Sequence, residues 1–271
     1  MSKSGSILAK LIAGIALAMA AFHLWVVYSG APEVFYFRGT HLLFGLVLIF
    51  LWFPLKLEGG LRPLGLLIDL LMLAGSIAAI AYLFIEHDYV LTRFAYVDDL
   101  HPMDAILGIT LMVVVLESAR RTIGLALPLT SLAFLAYGIF VADLRAGELI
   151  DQMYLTTEGI FGIPLNVSAT YIVLFIVFGA LVEKSGTGKL FMDFAMALAG
   201  ATAGGPAKVA CLTSAMFGTI SGSSTANVMT TGTFTIPLMR RIGYRPAFAG
   251  AVEAVASTGG QIMPPIMGAA A

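Results

Sequence analysis

The chain has 271 residues, of which 59% are hydrophobic and only 11% charged, with a net charge of −1; its mean hydropathy is +0.94. Soluble domains carry about 25% charged residues, so this chain has too few polar side chains to cover a water-facing surface. It reads as an all-α integral membrane protein rather than a soluble enzyme. Lysine and arginine are too scarce for a nucleic-acid groove. The single cysteine, Cys211, excludes a disulfide framework or a thiolate metal cluster, and His23, His41, His87 and His101 fall at no metal-ligand spacing.

A helix that crosses a bilayer needs about 20 mostly apolar residues. In chain order the candidate runs are Leu11–Tyr28, Thr40–Leu55, Leu64–Ile85, Met103–Leu116, Ile123–Ala142 and Leu165–Val182. Trp25 and Tyr28 sit where an interfacial aromatic belt is expected. The fourth run is short and spans only if Leu100–Ala119 contributes. Charge supports keeping it. With a cytoplasmic N-terminus, twelve of the lysines and arginines fall on the inner side and only Arg38, Arg93 and Arg145 on the outer, as the positive-inside rule requires. Without the fourth run, Arg120 and Arg121 would join the acidic outer loops. Asp69, inside the third run, reads as a helix-packing or interfacial polar residue.

After Val182 the texture changes. Glu183–Lys189 (EKSGTGK) looks only superficially like a phosphate loop, because Leu190 stands where Ser or Thr is needed. Residues 190–203 are too short to span easily and form an amphipathic arm along the interface. Phe191, Phe194 and Leu198 share one stripe of it.

Residues 208–242 carry Lys208 at one end and Arg240 and Arg241 at the other, with a polar middle. Same-side ends around a Gly/Ser tip describe a re-entrant helical hairpin, and Gly222 supplies the turn because it tolerates positive φ. Non-helical backbone at membrane depth survives only where protein buries it or a cavity adjoins it. The tip reads in two ways: as hard oxygen donors for a cation and a substrate, or as small-residue helix packing. Residues 247–271 favour the first. Helix Ala247–Ala256 runs into Ser257-Thr258-Gly259-Gly260, then Pro264-Pro265. Prolines lack the N–H that carbonyls one turn back require, so this is a discontinuous helix with freed oxygens. Glu253 reads as a residue facing solvent or an arginine, or as a buried charge, which costs roughly 2.5–3.5 kcal/mol at a helix centre.

The segments GTISGSSTANVMTTGTFTIPLMRRIGY and PAFAGAVEAVASTGGQIMPPIMG, preceded by GALVEKSGTGKLFMDFAMALAG, resemble the tripartite ATP-independent periplasmic (TRAP) transporters. The likeness is to the fused permeases that pair with TAXI-type periplasmic binding proteins. It covers Phe161–Ala271; the first four spans resemble the small four-helix subunit by hydropathy and position. The resemblance divides the chain into a scaffold region, 1–122, and the start of a large permease subunit, 123–271. A second, inverted repeat is absent, so a truncated or split product is expected.

The resemblance implies Na⁺-coupled uptake of an organic acid by an elevator movement in the bacterial inner membrane, with a periplasmic solute-binding protein as partner and no organic cofactor. It places cation and substrate binding at Ser221, Gly222, Ser223, Ser224 and Asn227 in the tip, and at Thr258, Gly259, Gly260, Pro264 and Pro265 in the break. Na⁺ itself falls to Ser223, Asn227 and Gly260. Two rivals are a Na⁺/H⁺ exchanger using Glu253 or Asp69, and a non-transporting structural subunit. A membrane enzyme is disfavoured, since the chain from Thr122 onward has no histidine and one cysteine.

Overall fold

The computed structural model describes residues 3–56, 62–222 and 224–264. Among them every regular element is helical. The chain divides into two compact units, Met1–Ala169 and Thr170–Ala271. The expected division at 122/123 is one of likeness, whereas this one is of contacts.

The first unit contains α1 (Lys3–Ser29), α2 (Val34–Trp52), α3 (Arg62–Ile85), α4 (His87–Thr92), α5 (Pro102–Ile123), α6 (Ala126–Phe140), α7 (Ala146–Ile150), a π-helical turn (Asp151–Leu155) and α8 (Ile163–Val167). Among the described residues, four helices are long and apolar enough to cross a membrane: Ile7–Ser29 of α1, α2, α3 and α5. The fourth expected span is therefore longer than its apolar run. Pro102 starts it without losing a hydrogen bond, and the Asp104 carboxylate accepts from the His101 backbone N–H at 2.8 Å, an N-terminal cap. The fifth expected span comes out shorter. Gly124, at φ +94°, ends α5, and α6 has 15 residues, a rise of about 22 Å that falls short of a roughly 30 Å hydrocarbon core.

The core of this unit is apolar: Phe35, Leu46 and Phe50 of α2 meet Ala79, Ile80 and Leu83 of α3, Leu111 and Val114 of α5, and Tyr154 and Phe161. Polar bonds fix the register of its helices. His23 Nδ1 lies 2.7 Å from the Met19 carbonyl, His41 Nδ1 lies 3.0 Å from His23 Nε2, and His41 Nε2 lies 3.0 Å from Ser168 Oγ. A carbonyl only accepts, so the protons follow: His23 Nδ1–H, His41 Nδ1–H and Ser168 Oγ–H donate in turn. Both imidazoles are thus satisfied as neutral rings. Asp69, inside α3, takes a 2.5 Å bond from Arg121 and a 3.0 Å bond from the Leu55 backbone N–H. Asp104 accepts from the hydroxyls of Tyr82 and Tyr89 at 2.8 and 2.7 Å. Burial, then the bond to Asp104, pushes the Tyr89 phenol up.

Arg93 and Asp151 form an ion pair whose side chains are each 3% exposed. It ties the segment after α4 to the π-helical turn. Burial works against the guanidinium charge, but the bond to Asp151 prevails and holds Arg93 above its ordinary value. The Tyr96 backbone N–H adds a 2.8 Å bond to the same carboxylate. Removing one member of a buried pair strands the other. Asp151→Asn is therefore expected to destabilise the first unit by about 3–5 kcal/mol, read as a fall in Tm in detergent, and Arg93→Met/Asp151→Leu to recover most of the loss.

The second unit contains α9 (Val173–Lys184), α10 (Thr187–Ala199), α11 (Gly205–Ser221), α12 (Ser224–Arg241), α13 (Pro246–Thr258) and a 3₁₀ turn (Gly259–Gln261). The arm expected at 190–203 is α10, and its first turn begins earlier. Gly188, Ala195 and Ala199 form its buried side. The aromatic stripe splits: Phe191 packs edge-on against Phe217, with centroids 5.4 Å apart, while Phe194 and Leu198 are exposed.

Candidate functional site: a helical hairpin against a broken helix

Helices α11 and α12 form the expected hairpin. Gly222 takes φ +59° and its N–H caps α11 on the Gly218 carbonyl at 3.1 Å, a left-handed closure that favours glycine. The pairing is antiparallel: Ser214 Oγ lies 3.2 Å from Thr231 Oγ1, and Asn227 Nδ2 donates to the Ser214 carbonyl at 2.8 Å.

Helix α13 lies against both arms and runs parallel to α11. Its middle, at Glu253, meets Ser214, Thr231 and Thr235; its end meets the hairpin tip. There the two backbones touch. A Cβ on Gly218 would stand 2.5 Å from the Gly260 Cα, and one on Gly260 would stand 2.9 Å from Asn227 Nδ2. Gln261 Nε2 donates to Ser224 Oγ at 3.1 Å. The helix stops being α-helical at this contact: Thr258 ends α13 and the 3₁₀ turn follows.

Of the expected site residues, the structure gathers Gly222, Ser224, Asn227 and Gly260 around one junction, with Ser221 as the last residue of α11. Gly259 is half-buried beside it, with open space where a Cβ would be. Thr258 is exposed and its hydroxyl bonds back to the Ala254 carbonyl at 2.8 Å, so it does not turn toward the hairpin. Pro264 is exposed. Ser223 and Pro265 lie outside the described residues.

Of the two readings of Glu253, the structure agrees with the buried one and not with a solvent-facing or arginine-paired residue. Glu253 is fully buried, and among the described residues it has no ion-pair partner. Its Oε1 is bonded to Thr231 at 2.5 Å, Ser257 at 3.0 Å and Ser214 at 3.3 Å; its Oε2 is bonded to Thr235. These four hydroxyl residues and Asn227 are all at 0% exposure. Nearby in sequence, Thr213 is buried with its hydroxyl unpartnered. The residues that sequence reasoning missed, Ser214, Thr231, Thr235 and Ser257, carry a partial signal: Thr231 and Thr235 follow Asn227 at intervals of four, as Ser257 follows Glu253, and such spacing puts them on one helix face.

The donor set at the junction fits a monovalent cation. It is oxygen only, from hydroxyls, the Asn227 amide and the carbonyl ends of α11 and α13, and hard cations take oxygen ligands. Among the described residues the Asn227 Oδ1 has a 3.4 Å contact from Thr231 and so retains accepting capacity. Among the described residues no group of three His, Cys, Asp or Glu is placed to hold a metal, which disfavours a transition-metal centre. A groove of about 700 Å³ in the same unit is lined mostly by apolar residues, Ala207, Cys211, Phe248 and Val255 among them, with Lys208 as the one charged residue among the described residues of its lining.

A hairpin meeting a broken helix, in a chain that also has helices long and apolar enough to cross a membrane, is the architecture of a class, the membrane permeases with discontinuous helices. Comparison with known proteins makes it particular. Residues 110–271 match the family described as the tripartite ATP-independent periplasmic transporter, DctM component, and the chain belongs to that family. It is a transporter permease family and not an enzyme family. A C4-dicarboxylate TRAP transporter large permease protein DctM of Pseudomonas aeruginosa is 37% identical over 91 residues, 34% of this chain and 21% of that protein. The Vibrio cholerae protein of the same name is 35% identical over 91 residues, 34% of this chain and 20% of its own length. The isethionate TRAP transporter permease protein DctMQ of Oleidesulfovibrio alaskensis is 35% identical over the same length, 34% of this chain and 14% of its own. The matched stretch therefore spans about a fifth or less of these relatives. No solved structure matches.

The Gly218–Gly260 contact leaves no room for a methyl group, and the obstructing atoms are backbone. Overpacking of this kind costs about 1–3 kcal/mol. Gly218→Ala is expected to speed amide hydrogen exchange at the tip and the 3₁₀ turn by roughly tenfold or more, with the first unit unchanged; equal exchange in both proteins would remove the contact.

Proposed function

We propose that the chain is part of a Na⁺-coupled importer of a small organic acid, delivered by a periplasmic solute-binding protein of the TAXI type. The observation that carries this reading is the junction itself: hairpin tip and helix break meet at Gly218, Asn227 and Gly260. One broken element would supply a few free carbonyls. Two that meet provide oxygens for a cation and, at the start of α12, backbone N–H groups for an anion.

The residues divide by chemistry. Asn227, Ser223 and the carbonyl of Gly260 hold Na⁺, and Ser221 and Ser224 present hydroxyls to the ion or the solute. Gly222 and Gly259 let backbone approach, and Pro264 and Pro265 keep the following segment from closing the ladder. Bound Na⁺ supplies the driving force, since each charge entering down 100 mV yields about 2.3 kcal/mol from the potential alone. Coupling then requires that the carrier move only when ion and solute are both bound. The second unit moves as an elevator and the first four spans act as a fused small subunit in the scaffold. The protein sits in the inner membrane with its N-terminus cytoplasmic, as the charge distribution supports. Two of the named relatives carry C4-dicarboxylates and one isethionate by their names; a carboxylate is the reading adopted here.

Vesicles containing the permease, given its binding protein and labelled succinate, test this. Uptake is expected only with an inward Na⁺ gradient and the binding protein present; uptake unchanged when choline replaces Na⁺ would overturn the coupling, and preference for isethionate would overturn the carboxylate assignment. Ser224→Ala and Asn227→Ala are expected to raise the Na⁺ concentration for half-maximal uptake about tenfold, the loss of one or two ligand bonds. Wild-type Na⁺ dependence in both would remove the tip from the site.

A further inference from the structure

Glu253 has no role in the reading above, yet it is the one carboxylate among the described residues of α11, α12 and α13. Four side-chain hydroxyls surround it, and it is fully buried. Thr235 has one hydroxyl hydrogen and two partners: the Thr231 carbonyl at 3.0 Å, which can only accept, and Glu253 Oε2. Thr231 likewise has one hydrogen for the Asn227 carbonyl at 2.9 Å and for Glu253 Oε1 at 2.5 Å. Each of these helix carbonyls also takes its own i+4 backbone N–H, so either hydroxyl hydrogen can turn to the carboxyl. What a charge at Glu253 lacks among the described residues is a cation, and burial without one favours the neutral acid. A proton on Oε2 donates to Thr235, whose own hydrogen then goes to the Thr231 carbonyl, and that strand of the network closes. Ser257 and Ser214 donate to Oε1 at 3.0 and 3.3 Å.

Among the described residues no charge on the packed helices offsets a carboxylate. The groups facing Glu253 are Ser214 from α11, Thr231, Gly232 and Thr235 from α12, and Ser257 from α13. The charged or titratable residues of these helices and their caps are Lys208 and Cys211, Arg240 and Arg241, and Arg245, and among the described residues none is bonded to it.

We propose that Glu253 is a proton-binding site of this permease, held as the neutral acid within the hydroxyl ring in the form seen here and exchanging its proton with water during the transport cycle. The exchange is one proton leaving or joining Oε2. It reaches the junction through one side chain: Thr231 contacts both Glu253 Oε1 and the Asn227 carbonyl, and Asn227 lies against Gly260. A change of charge at Glu253 therefore redirects the Thr231 hydrogen and alters what Asn227 can offer. The proposal rests on the permease reading only for the word cycle.

Infrared spectroscopy of the full chain in lipid vesicles, titrated in pH, tests it without any solute or transport. A protein that fails to carry succinate can still pass or fail here. The wild type is expected to show the carbonyl stretch of a protonated carboxyl at neutral pH that fades as pH is raised. Glu253→Gln is expected to lack that band. Ser257→Ala, a small change that removes one donor to Oε1, is expected to keep it at higher frequency, and it serves if Glu253→Gln does not insert. A spectrum identical in wild type and variants would overturn the proposal. So would a band that persists until the protein unfolds, or one that NaCl abolishes at constant pH.

Discussion

The second unit is organised by a contact between two residues without side chains. Gly218 and Gly260 let the hairpin and the end of α13 approach until backbone meets backbone. The rest of the unit follows from that approach. It sets α13 in register along α11, so that Glu253 lies opposite Ser214 and between Thr231 and Thr235. It also brings Gln261 to Ser224 and Asn227 to Gly260. Were the approach relaxed by a single methyl, the hydroxyl ring and the junction would loosen together, because the same three helices form both.

The first unit is built by another means. Its spans are apolar on most faces, and dispersion alone would allow them to slide or rotate. Directional bonds remove that freedom: the His23–His41–Ser168 chain, the Tyr82 and Tyr89 bonds to Asp104, the Asp69–Arg121 pair and the Arg93–Asp151 pair. In a low-dielectric surround such bonds are costly to leave unmade, so each one selects a single rotation of its helix.

Much of the fold was legible in the chain because membrane spans announce themselves by length and composition. The first three runs and the hairpin with Gly222 at its turn read directly, and so did the helix break, which was expected after Ala256 and falls two residues later, after Thr258. The short α6 did not, since its ends are set by Gly124 and by the turn at Asp143, at φ +55°, inside an unbroken apolar run. Partners remote in sequence were also hidden: nothing local connects His23 to Ser168 or Arg93 to Asp151. In the site, small polar residues near the turn were foreseen and a buried Glu253 was one of two readings of that residue, but its hydroxyl partners Ser214, Thr231, Thr235 and Ser257 were not foreseen. A spacing of four was present in the sequence, yet spacing says only that residues share a face. Which face is buried depends on the third helix, and that is a tertiary fact.

The parallel course of α11 and α13 has an electrical consequence. Each helix carries roughly half a negative unit at its C-terminal end and half a positive unit at its N-terminal end. Two C-terminal ends, at Ser221 and Thr258, and one N-terminal end, at Ser224, share the junction. The three do not cancel, and about half a negative unit is left over. An anion arriving first would be repelled by that remainder, whereas a cation arriving first would reverse its sign. On the proposed reading, the backbone by itself favours entry of the cation before the anion.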